Sequence, residues 1–345
     1  MKTKLRILVD NCIPFIRGVL EPVADVCYLS AVDFTPDAVA TADALIVRTR
    51  TRCDAALLAA SSVRFVATAT IGFDHIDVDF CRDKGIAWTN AAGCNATSVA
   101  QYVASALSAW AQRAHIDLCS KTLGVVGVGH VGSAVCDVAK LLGMKLLCND
   151  PLRSEPDFVS LDEVAACADV VTFHTPLTYD GLWATYHLAG ADFFSRCARK
   201  PLIINAARGG VVDERALMAA KFSGCIADFV LDCWEGEPHI APDVLQAAFI
   251  ATPHIAGYSA DGKANATTMA VRAVSRFFGL GLDHFVVDAL PPKQVCSCSR
   301  AALPLRMLAN YDIMADDARL RREPTAFEQQ RSRYPVRREV VWSIE

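Results

Sequence analysis

The chain has 345 residues, of which 53% are hydrophobic and 21% charged, with a formal net charge of −4 and a pI near 6.1. Such a length allows two or three domains with a sizeable core, and the composition is typical of a soluble globular protein. The small negative charge excludes bulk attraction to nucleic acid or to an anionic membrane. The first residues, MKTKLRILVD, predict a strand rather than a signal peptide or a membrane span.

The stretch from Leu5 to Asn90 alternates between strand-like and helix-like runs. Strands are predicted at RILVD, ALIVR, RFVATA and IAWTN, and helices at a segment from Pro14 to about Leu20, at AALLAA and at VDFCRDKG. Short, continuous apolar runs are expected for strands that are buried on both faces of a parallel sheet. We expect a small companion domain whose strand ends carry two polar clusters, at residues 48–52 and 68–75.

A long helix is predicted from Ser98 through Arg113. Ser98 as the N-cap and Gln101 three residues later match the spacing of a capping box. The segment is rich in alanine and largely apolar, so we expect it to be buried between layers or at an interface. A second domain is predicted to begin just before it, near Gly93.

The stretch Leu123–Asp150 predicts a strand, a GxGxxG turn, a helix and a second strand. The turn comprises Gly127 to Gly132, and its glycines allow a tight bend and a close approach to a pyrophosphate, which the following helix N-terminus would attract. Asp150 is placed to accept hydrogen bonds from ribose hydroxyls, and its charge would repel a 2′-phosphate. The unit therefore predicts NAD rather than NADP. The alternative is a glycine-rich turn in some other α/β domain.

The alternation of strands and helices continues after Asp150. Strands are predicted at DVVTFHTPL, PLIINAARGG, IADFVL and FIAT. Helices are predicted after the capping-box signature Ser160–Glu163, in a stretch up to Arg199, at DERALMAAKFSG and at Tyr258–Phe278, which would return the chain to the first domain. Pro291 and Pro292 mark a boundary. The charge-rich segment 312–345 is interpreted as an oligomer contact rather than a linker.

Four polar residues follow strands of the second domain, where doubly wound sheets bind their ligands: Arg208, Asp232, Glu237 and His254. Hydride transfer from a 2-hydroxy acid needs a cation for the carboxylate and a base for the hydroxyl proton. The planar fork of Arg208 suits the first role, and His254 suits the second, with Glu237 favouring its imidazolium form. Taken singly, each has a structural alternative: a salt bridge, a solvated turn or a hydrogen-bonded loop histidine.

The 14 cysteines are scattered, with no CxxC pair. Examples such as Cys119, Cys136, Cys148 and Cys167 lie in predicted core elements and are interpreted as small buried hydrophobes. Together with the absence of a signal peptide, they indicate a reducing compartment, the cytoplasm. Two thiols alone at 296 and 298 do not make a metal site, and we predict none.

The motifs GVVGVGHVG, INAARGGVVDERAL, LDCWEGEP and TPHIAGYS resemble the D-isomer-specific 2-hydroxyacid dehydrogenase family. The resemblance runs from near Leu5 to about Glu345 and is dense to residue 270. It implies an α/β fold of two doubly wound parallel-sheet domains with a small C-terminal dimerisation segment. The domains expected are a flavodoxin-like substrate domain (1–92 and 258–285), an NAD-binding Rossmann domain (93–257) and a dimerisation domain (286–345), and hence a homodimer.

The resemblance also implies residue roles. Arg208 and Glu237 are expected to be catalytic, with His254 as the acid/base. Together with the glycine turn, the predicted cofactor contacts are Gly127, Gly129, His130, Val131, Gly132, Asp150, Thr175, Ala206, Ala207, Arg208, Asp232 and Gly257. Asp232 has a rationale of its own, because a carboxylate near the nicotinamide carboxamide can accept its N–H and fix the ring face. The substrate contacts implied are Thr49, Thr70 and Tyr258.

Within the family, the nearest resemblance implies a small phosphorylated four-carbon 2-hydroxy acid as substrate. Its phosphate needs a second anion site, and our hypothesis is Arg48 or its neighbours Arg50 and Arg52, with a solvated basic edge as the alternative. Two other functions stay open: dehydrogenation of 3-phosphoglycerate, glycerate or another 2-hydroxy acid, and NAD(H) sensing without turnover. The presence of Arg208, Glu237 and His254 together weighs against a sensor.

Overall fold

The computed structural model describes residues 4–345, and the chain divides into two compact units. The first unit comprises Met1–Asn95 and Ser259–Pro292, and the second comprises Ala96–Tyr258 and Lys293–Glu345. Across residues 4–345, no helix combines the length and the apolar character that crossing a membrane requires.

In chain order the strands are β1 (Arg6–Asp10), β2 (Asp25–Leu29), β3 (Ala44–Val47), β4 (Phe65–Thr68), β5 (Ala87–Asn90), β6 (Thr122–Val126), β7 (Lys145–Asn149), β8 (Val170–Phe173), β9 (Leu202–Asn205), β10 (Asp228–Leu231), β11 (Ile250–Ala251), β12 (Gln294–Cys298) and β13 (Val340–Ile344). The helices are α1 (Pro36–Val39), α2 (Ala55–Leu58), α3 (Val78–Lys84), α4 (Ala96–Ala114), α5 (His130–Leu141), α6 (Leu161–Cys167), α7 (Ala191–Ser195), α8 (Glu214–Ser223), α9 (Pro242–Ala247), α10 (Ala260–Phe278), α11 (Leu303–Asn310), α12 (Ile313–Arg322) and α13 (Phe327–Ser332).

The first unit is built on a five-stranded parallel sheet in the order β2-β1-β3-β4-β5. This is the flavodoxin-like strand order, in which ligands bind beyond the carboxyl ends of the strands. The central strands β3 and β4 are entirely buried, as their short apolar runs predict. Helix α10 belongs to this unit.

One sequence prediction for the first unit fails, and one strand was missed. The segment from Pro14 to Leu20 forms turns rather than a helix, because Phe15 and Gly18 adopt left-handed backbone conformations (φ 61° and 82°) that interrupt one. Strand β2 was not predicted. It lies at the edge of the sheet, and its residues are exposed or only half-buried, so it lacks a continuous apolar run.

The second unit contains a six-stranded parallel sheet in the order β11-β10-β9-β8-β6-β7. The direction of strand succession reverses between β6 and β8, and the glycine turn follows β6 at that point. Doubly wound sheets bind ligands at such switch points. The predicted α/β class with two doubly wound parallel sheets is confirmed.

The predicted helix near Ser98 is present but begins earlier, at Ala96, and fourteen of its nineteen residues are buried. Ser98 is therefore inside the helix, where its hydroxyl makes no hydrogen bond, and the capping-box prediction is wrong. The Gln101 amide instead donates to Asn310 Oδ1 at 2.7 Å. The corresponding prediction at Ser160 is right, because its hydroxyl accepts from the Glu163 N–H at 3.1 Å. The helical stretch predicted up to Arg199 shortens to α7.

The C-terminal segment 293–345 packs against the sheet of the second unit. Strands β12 and β13 form a parallel pair, and α12 lies against β11. Asp317 accepts the Ala251 N–H at 2.8 Å, while Arg321 binds Asp317 and the carbonyls of Leu245 and Ala248. Buried backbone groups at this edge of the sheet therefore find their partners in the C-terminal segment.

All 14 cysteines lie within residues 4–345, and none of them forms a disulfide. Cys136 is buried as predicted and Cys148 is half-buried, with 3.6 Å between their sulfur atoms. Cys119 and Cys167 are exposed, so the prediction that these two are core residues is wrong. Cys119 lies within a three-residue 3₁₀ turn and Cys167 is the last residue of α6, so the apolar pattern of a strand or helix interior does not fix the burial of either.

Candidate active site

The glycine turn joins β6 to α5, and each of its glycines meets a different constraint. Gly127 has a left-handed backbone (φ 84°), and a Cβ at Gly132 would lie 2.1 Å from the Gly127 carbonyl oxygen. Gly129, the N-cap of α5, has open space where its Cβ would be. His130 and Val131 form the first turn of the helix. The turn thus offers helix N–H groups beside an open side, which fits a bound pyrophosphate.

Asp150 lies beside this turn, at the end of β7. Its Oδ2 accepts the Val128 N–H at 2.9 Å and its Oδ1 accepts the Leu152 N–H at 3.1 Å. The carboxylate therefore fixes the shape of the glycine turn, and each oxygen retains capacity for a further hydrogen bond. This arrangement fits the predicted contact with ribose hydroxyls.

Thr175 comes shortly after β8, which pairs with β6 on the side opposite to β7. Its hydroxyl is buried and has no hydrogen-bond partner, which is unusual for a buried polar group and fits a ligand contact. His174, which precedes it, bonds Thr172 Oγ1 through Nε2 at 3.0 Å, and burial lowers its pKa to about 3. Sequence reasoning did not single out His174, and its place directly after a buried strand was the only available signal.

The Asp232 carboxylate braces the loop that carries His254. The side chain is 1% exposed and accepts hydrogen bonds from Thr252 Oγ1 (2.6 Å) and from the N–H groups of Ile255 and Ala256 (2.8 Å each). Burial raises the pKa of Asp232, while the charge of His254 and these hydrogen bonds oppose the shift. Asp232 thus has a structural task in addition to its predicted contact with the cofactor.

Two residues that sequence reasoning missed extend this network. The Tyr102 hydroxyl, on buried α4, lies 2.8 Å from Thr252 Oγ1, and Thr252 in turn donates to Asp232. Both contacts join residues far apart in the chain, so no local pattern signals them. Gly257 and Tyr258 complete the loop, with the Tyr258 N–H bonded to the Ile255 carbonyl at 2.9 Å.

His254 and Glu237 form a hydrogen-bonded pair, with 2.6 Å between His254 Nδ1 and Glu237 Oε1. Burial pushes the pKa of Glu237 upward, but the hydrogen bond from His254 and the charges of His254 and Arg331 hold it below its ordinary value. His254 has a left-handed backbone (φ 55°), a strained conformation for this residue type that the Asp232 network maintains. With Nδ1 engaged, Nε2 is the nitrogen left for proton exchange with a substrate.

Arg208 lies after β9, next to the strand that precedes Glu237. Its Nη1 donates to the Ala207 carbonyl at 2.8 Å, and its own carbonyl accepts from Asn205 Nδ2 at 2.8 Å. A Cβ at Gly209 would lie 1.9 Å from the Trp234 carbonyl oxygen, so the loops after β9 and β10 are in close contact. The ends of β9, β10 and β11 therefore bring Arg208, Glu237 and His254 to one edge of the sheet. Ala206 and Ala207 link the end of β9 to Arg208.

Arg48 in the first unit is held by Asp10, which ends β1 and is fully buried. Arg48 Nε and Nη2 donate to the two Asp10 oxygens at 3.0 and 3.2 Å. Lys263, in the first turn of α10, is a second cation here: burial lowers its pKa, and the charge of Arg48 lowers it further. Sequence reasoning missed Lys263 because it is distant in the chain from residues 48–52.

Two other residues predicted to bind substrate, Thr49 and Thr70, lie at the same edge of the first sheet, whereas Tyr258 belongs to the second unit. Thr49 is exposed directly after β3, and Thr70 follows β4, with its hydroxyl 2.6 Å from that of Thr68. Arg50 is also exposed, whereas Arg52 forms a surface ion pair with Asp54 at 2.7 Å.

A separate polar cluster is formed by His187, Asp213 and Glu235. Within residues 4–345 it is the only group of at least three acidic, histidine or cysteine side chains close enough to share a metal ion. His187 Nε2 lies 2.5 Å from Glu235 Oε1, and Nδ1 lies 3.6 Å from Asp213 Oδ2. Both ring nitrogens thus already face carboxylates, and the cluster anchors the loop that leads to Glu237.

Two doubly wound parallel sheets, a glycine turn at a switch point and a histidine–glutamate pair at strand ends together define a dinucleotide-dependent oxidoreductase of 2-hydroxy acids. Residues 95–256 match the family model described as the NAD binding domain of D-isomer specific 2-hydroxyacid dehydrogenase. The chain belongs to this family, so the predicted resemblance, the NAD cofactor and the dehydrogenase class are confirmed.

Two relatives and one solved structure show how similar the chain is to individual proteins. The chain is 48% identical over 340 residues to erythronate-4-phosphate dehydrogenase of Bacteroides fragilis and 45% identical over 341 residues to that of Bacteroides thetaiotaomicron, covering 97% of each chain in both cases. Among solved structures it resembles D-lactate dehydrogenase from Aquifex aeolicus complexed with NAD and lactic acid. That match has a TM-score of 0.67 and 26% identity, and it covers 83% of this chain and 100% of the other.

Two substitutions in the glycine turn separate an effect on packing from an effect on cofactor binding. Gly129→Ala places a methyl group in open space, so we expect unchanged thermal stability but about tenfold weaker NADH binding. Gly132→Ala forces a clash with the Gly127 carbonyl, and we expect a loss of about 1–3 kcal/mol in the free energy of unfolding. Unfolding curves and NADH fluorescence titrations measure both effects. Equal loss of stability in the two variants would contradict this interpretation.

Proposed function

We propose that the chain catalyses the NAD-dependent oxidation of 4-phospho-D-erythronate to (R)-3-hydroxy-2-oxo-4-phosphooxybutanoate in pyridoxal 5′-phosphate (vitamin B6) biosynthesis. The substrate is supported by the name of relatives that share up to 48% identity over almost the whole chain. The chemistry is supported by one observation above all, the 2.6 Å contact between His254 Nδ1 and Glu237 Oε1. A protein that only senses NAD(H) has no need of an acid/base pair.

Four residues of the second unit have a role in this reaction. The nicotinamide ring, when bound, supplies the hydride acceptor. His254 takes the hydroxyl proton at Nε2, and the Glu237 carboxylate stabilises the imidazolium that results. Arg208 binds the substrate carboxylate and polarises the neighbouring oxygen. Asp232 keeps the loop of His254 in place, so the acid/base is oriented before the substrate arrives.

Cofactor binding is assigned to the turn at Gly127–Gly132, to Asp150 and Thr175, and to the strand-end residues Ala206, Ala207, Arg208, Asp232 and Gly257. The open side of Gly129 and the buried, unpartnered hydroxyl of Thr175 support this assignment. Thr49, Thr70 and Tyr258 are the proposed neutral contacts to the substrate.

The phosphate of the substrate is assigned to Arg48 and Lys263. Asp10 fixes the Arg48 guanidinium in a two-point ion pair, which leaves Nη1 available to an anion. Lys263 adds a second positive charge close to the first, and an approaching phosphate dianion relieves their mutual repulsion. This pairing favours a phosphorylated substrate over glycerate or lactate.

The oligomeric state and location are also proposals. A homodimer formed through residues 286–345 is supported by the family resemblance of that segment. A cytoplasmic location is supported by fourteen cysteines with no disulfide among them. Light scattering of the purified chain measures its oligomeric state.

The proposed substrate is tested by a panel followed at the NADH absorbance band. Phosphorylated four-carbon and three-carbon 2-hydroxy acids, glycerate and lactate are compared side by side. We expect the highest kcat/KM for 4-phospho-D-erythronate. A higher value for 3-phosphoglycerate would assign the chain to another substrate, and NADH binding without turnover of any acid would indicate a sensor.

Glu237→Gln tests the acid/base pair. The amide no longer stabilises an imidazolium, so we expect kcat for oxidation to fall roughly 100-fold. Because oxidation requires neutral His254, and the loss of a negative charge disfavours its protonation, the acidic limb of the pH profile of kcat/KM moves to lower pH. Glu163→Gln, which changes an exposed glutamate in the first turn of α6, is the control and should retain wild-type turnover. A wild-type rate for Glu237→Gln would exclude the assigned role.

Lys263→Gln tests the phosphate site without leaving the buried Asp10 carboxylate unpaired. Loss of one charge-assisted hydrogen bond should raise KM for the phosphorylated acid roughly 10- to 100-fold, with kcat and KM for NAD nearly unchanged. Arg276→Gln, on the exposed face of the same helix, is the matched control. An unchanged KM for the acid would remove Lys263 from the site.

A further inference from the structure

The segment Phe327–Arg337 packs onto the loop that carries His254. Arg337 donates to the carbonyls of Ile255 (3.3 Å) and Ala256 (2.6 Å). The ring of Tyr334 meets that of Tyr258 edge to face, with 6.2 Å between centroids. Phe327 at the start of α13 is 1% exposed, within the hydrophobic core of the second unit. The C-terminal segment is thus fixed on both sides of the point where it meets the loop.

Arg331 lies between these anchors, on α13, with 21% of its side chain exposed. It hydrogen-bonds Tyr258. Its positive charge also lowers the pKa of Glu237 and opposes the rise that burial causes in the pKa of Cys233. The nearest carboxylate oxygen paired with it is Glu328 Oε2, at 4.0 Å from Nη1, and its Nε is buried without a hydrogen-bond partner. These contacts are not those of an arginine held in a structural ion pair, because such a guanidinium is usually met by carboxylate oxygens in a two-point contact.

We propose that Arg331 is a positioning residue of the active site, which orients Tyr258 toward the substrate and sets the charge around the Glu237–His254 pair from the C-terminal segment. The proposal rests on the proposed function, in which Glu237 and His254 act as the acid/base pair and Tyr258 contacts the substrate. No sequence motif near residue 331 indicates such a role, because the contact depends on the folding of the C-terminal segment.

The charges around the pair decide the sign of the effect. Glu237 is faced by His254 and Arg331, with Cys233 nearby and with Glu214, whose pKa burial raises to about 7. His254 is faced by Glu237 and by the buried Asp232. Arg208, whose charge also acts on Cys233, and Arg331 are cations in this group besides His254 itself. The charge of Arg331 therefore disfavours a further positive charge on the imidazole. Removal of this charge should favour the imidazolium.

Three full-length variants separate the possibilities: Arg331→Gln removes the charge, Arg331→Lys retains it, and Arg333→Gln changes an exposed arginine two residues away. For Arg331→Gln we expect kcat to fall about tenfold and the acidic limb of oxidation to move upward by about 0.5–1 pH unit. This direction is opposite to that expected for Glu237→Gln. Arg331→Lys should restore the pH profile, and NADH affinity should be unchanged in all three.

A second measurement does not depend on turnover. The His254 ring signal, assigned among the eight histidines with a His254→Asn variant, is followed by NMR as a function of pH. In Arg331→Gln its titration midpoint should move upward by about 0.5–1 pH unit, whereas Arg333→Gln should match the wild type. This result can be obtained with any 2-hydroxy acid, or with none, so a failure of the proposed substrate is distinguishable from a failure of this proposal.

Two outcomes would overturn the assignment. One is a wild-type pH profile and a wild-type His254 titration in Arg331→Gln. The other is a joint loss of thermal stability, NADH affinity and activity that Arg331→Lys does not relieve, which would mark Arg331 as a purely structural residue.

Discussion

The active-site edge of the second unit depends on the buried carboxylate of Asp232. A charged group with almost no exposure is tolerated only when its oxygens are fully hydrogen-bonded, and here the donors are Thr252 and the backbone of Ile255 and Ala256. These are the residues on either side of His254. The cost of burying the carboxylate is therefore offset by contacts that also hold His254 in a left-handed conformation beside Glu237. The stability of this loop and the orientation of the proposed acid/base come from the same hydrogen bonds.

A similar arrangement recurs in the first unit, where a buried aspartate holds an arginine. Asp10, fully buried at the end of β1, holds Arg48 through both carboxylate oxygens. A long flexible cation is thereby fixed before any anion binds, which lowers the entropy lost on binding. In each unit a buried aspartate at or just beyond a strand end orients a side chain for which we propose a function. Neither aspartate needs to touch the reacting atoms for this task.

The sequence was informative where a feature is local. The glycine turn with Asp150 and the strand-end positions of Arg208, Glu237 and His254 follow from short patterns and from the rule that ligands bind beyond parallel strands. Interactions between distant segments left no such signal: Tyr102 with Thr252, Asp10 with Arg48, and Lys263 with Arg48. The errors have the same origin. Ser98 matches a capping spacing, but tertiary packing extends its helix beyond it, and at Pro14–Leu20 a non-glycine residue, Phe15, adopts a positive φ.

The C-terminal segment has a consequence for how this protein can diverge. Arg337 supplies hydrogen bonds to carbonyls of the loop that follows His254, and Asp317 supplies one to the last strand of the sheet. The nucleotide-binding part of the second unit therefore depends on the tail to complete its hydrogen bonds. A recombination event that joined a foreign tail at residue 293 would leave these backbone groups, and the carbonyls of Leu245 and Ala248, without their partners. Tail and loop are expected to change together during evolution.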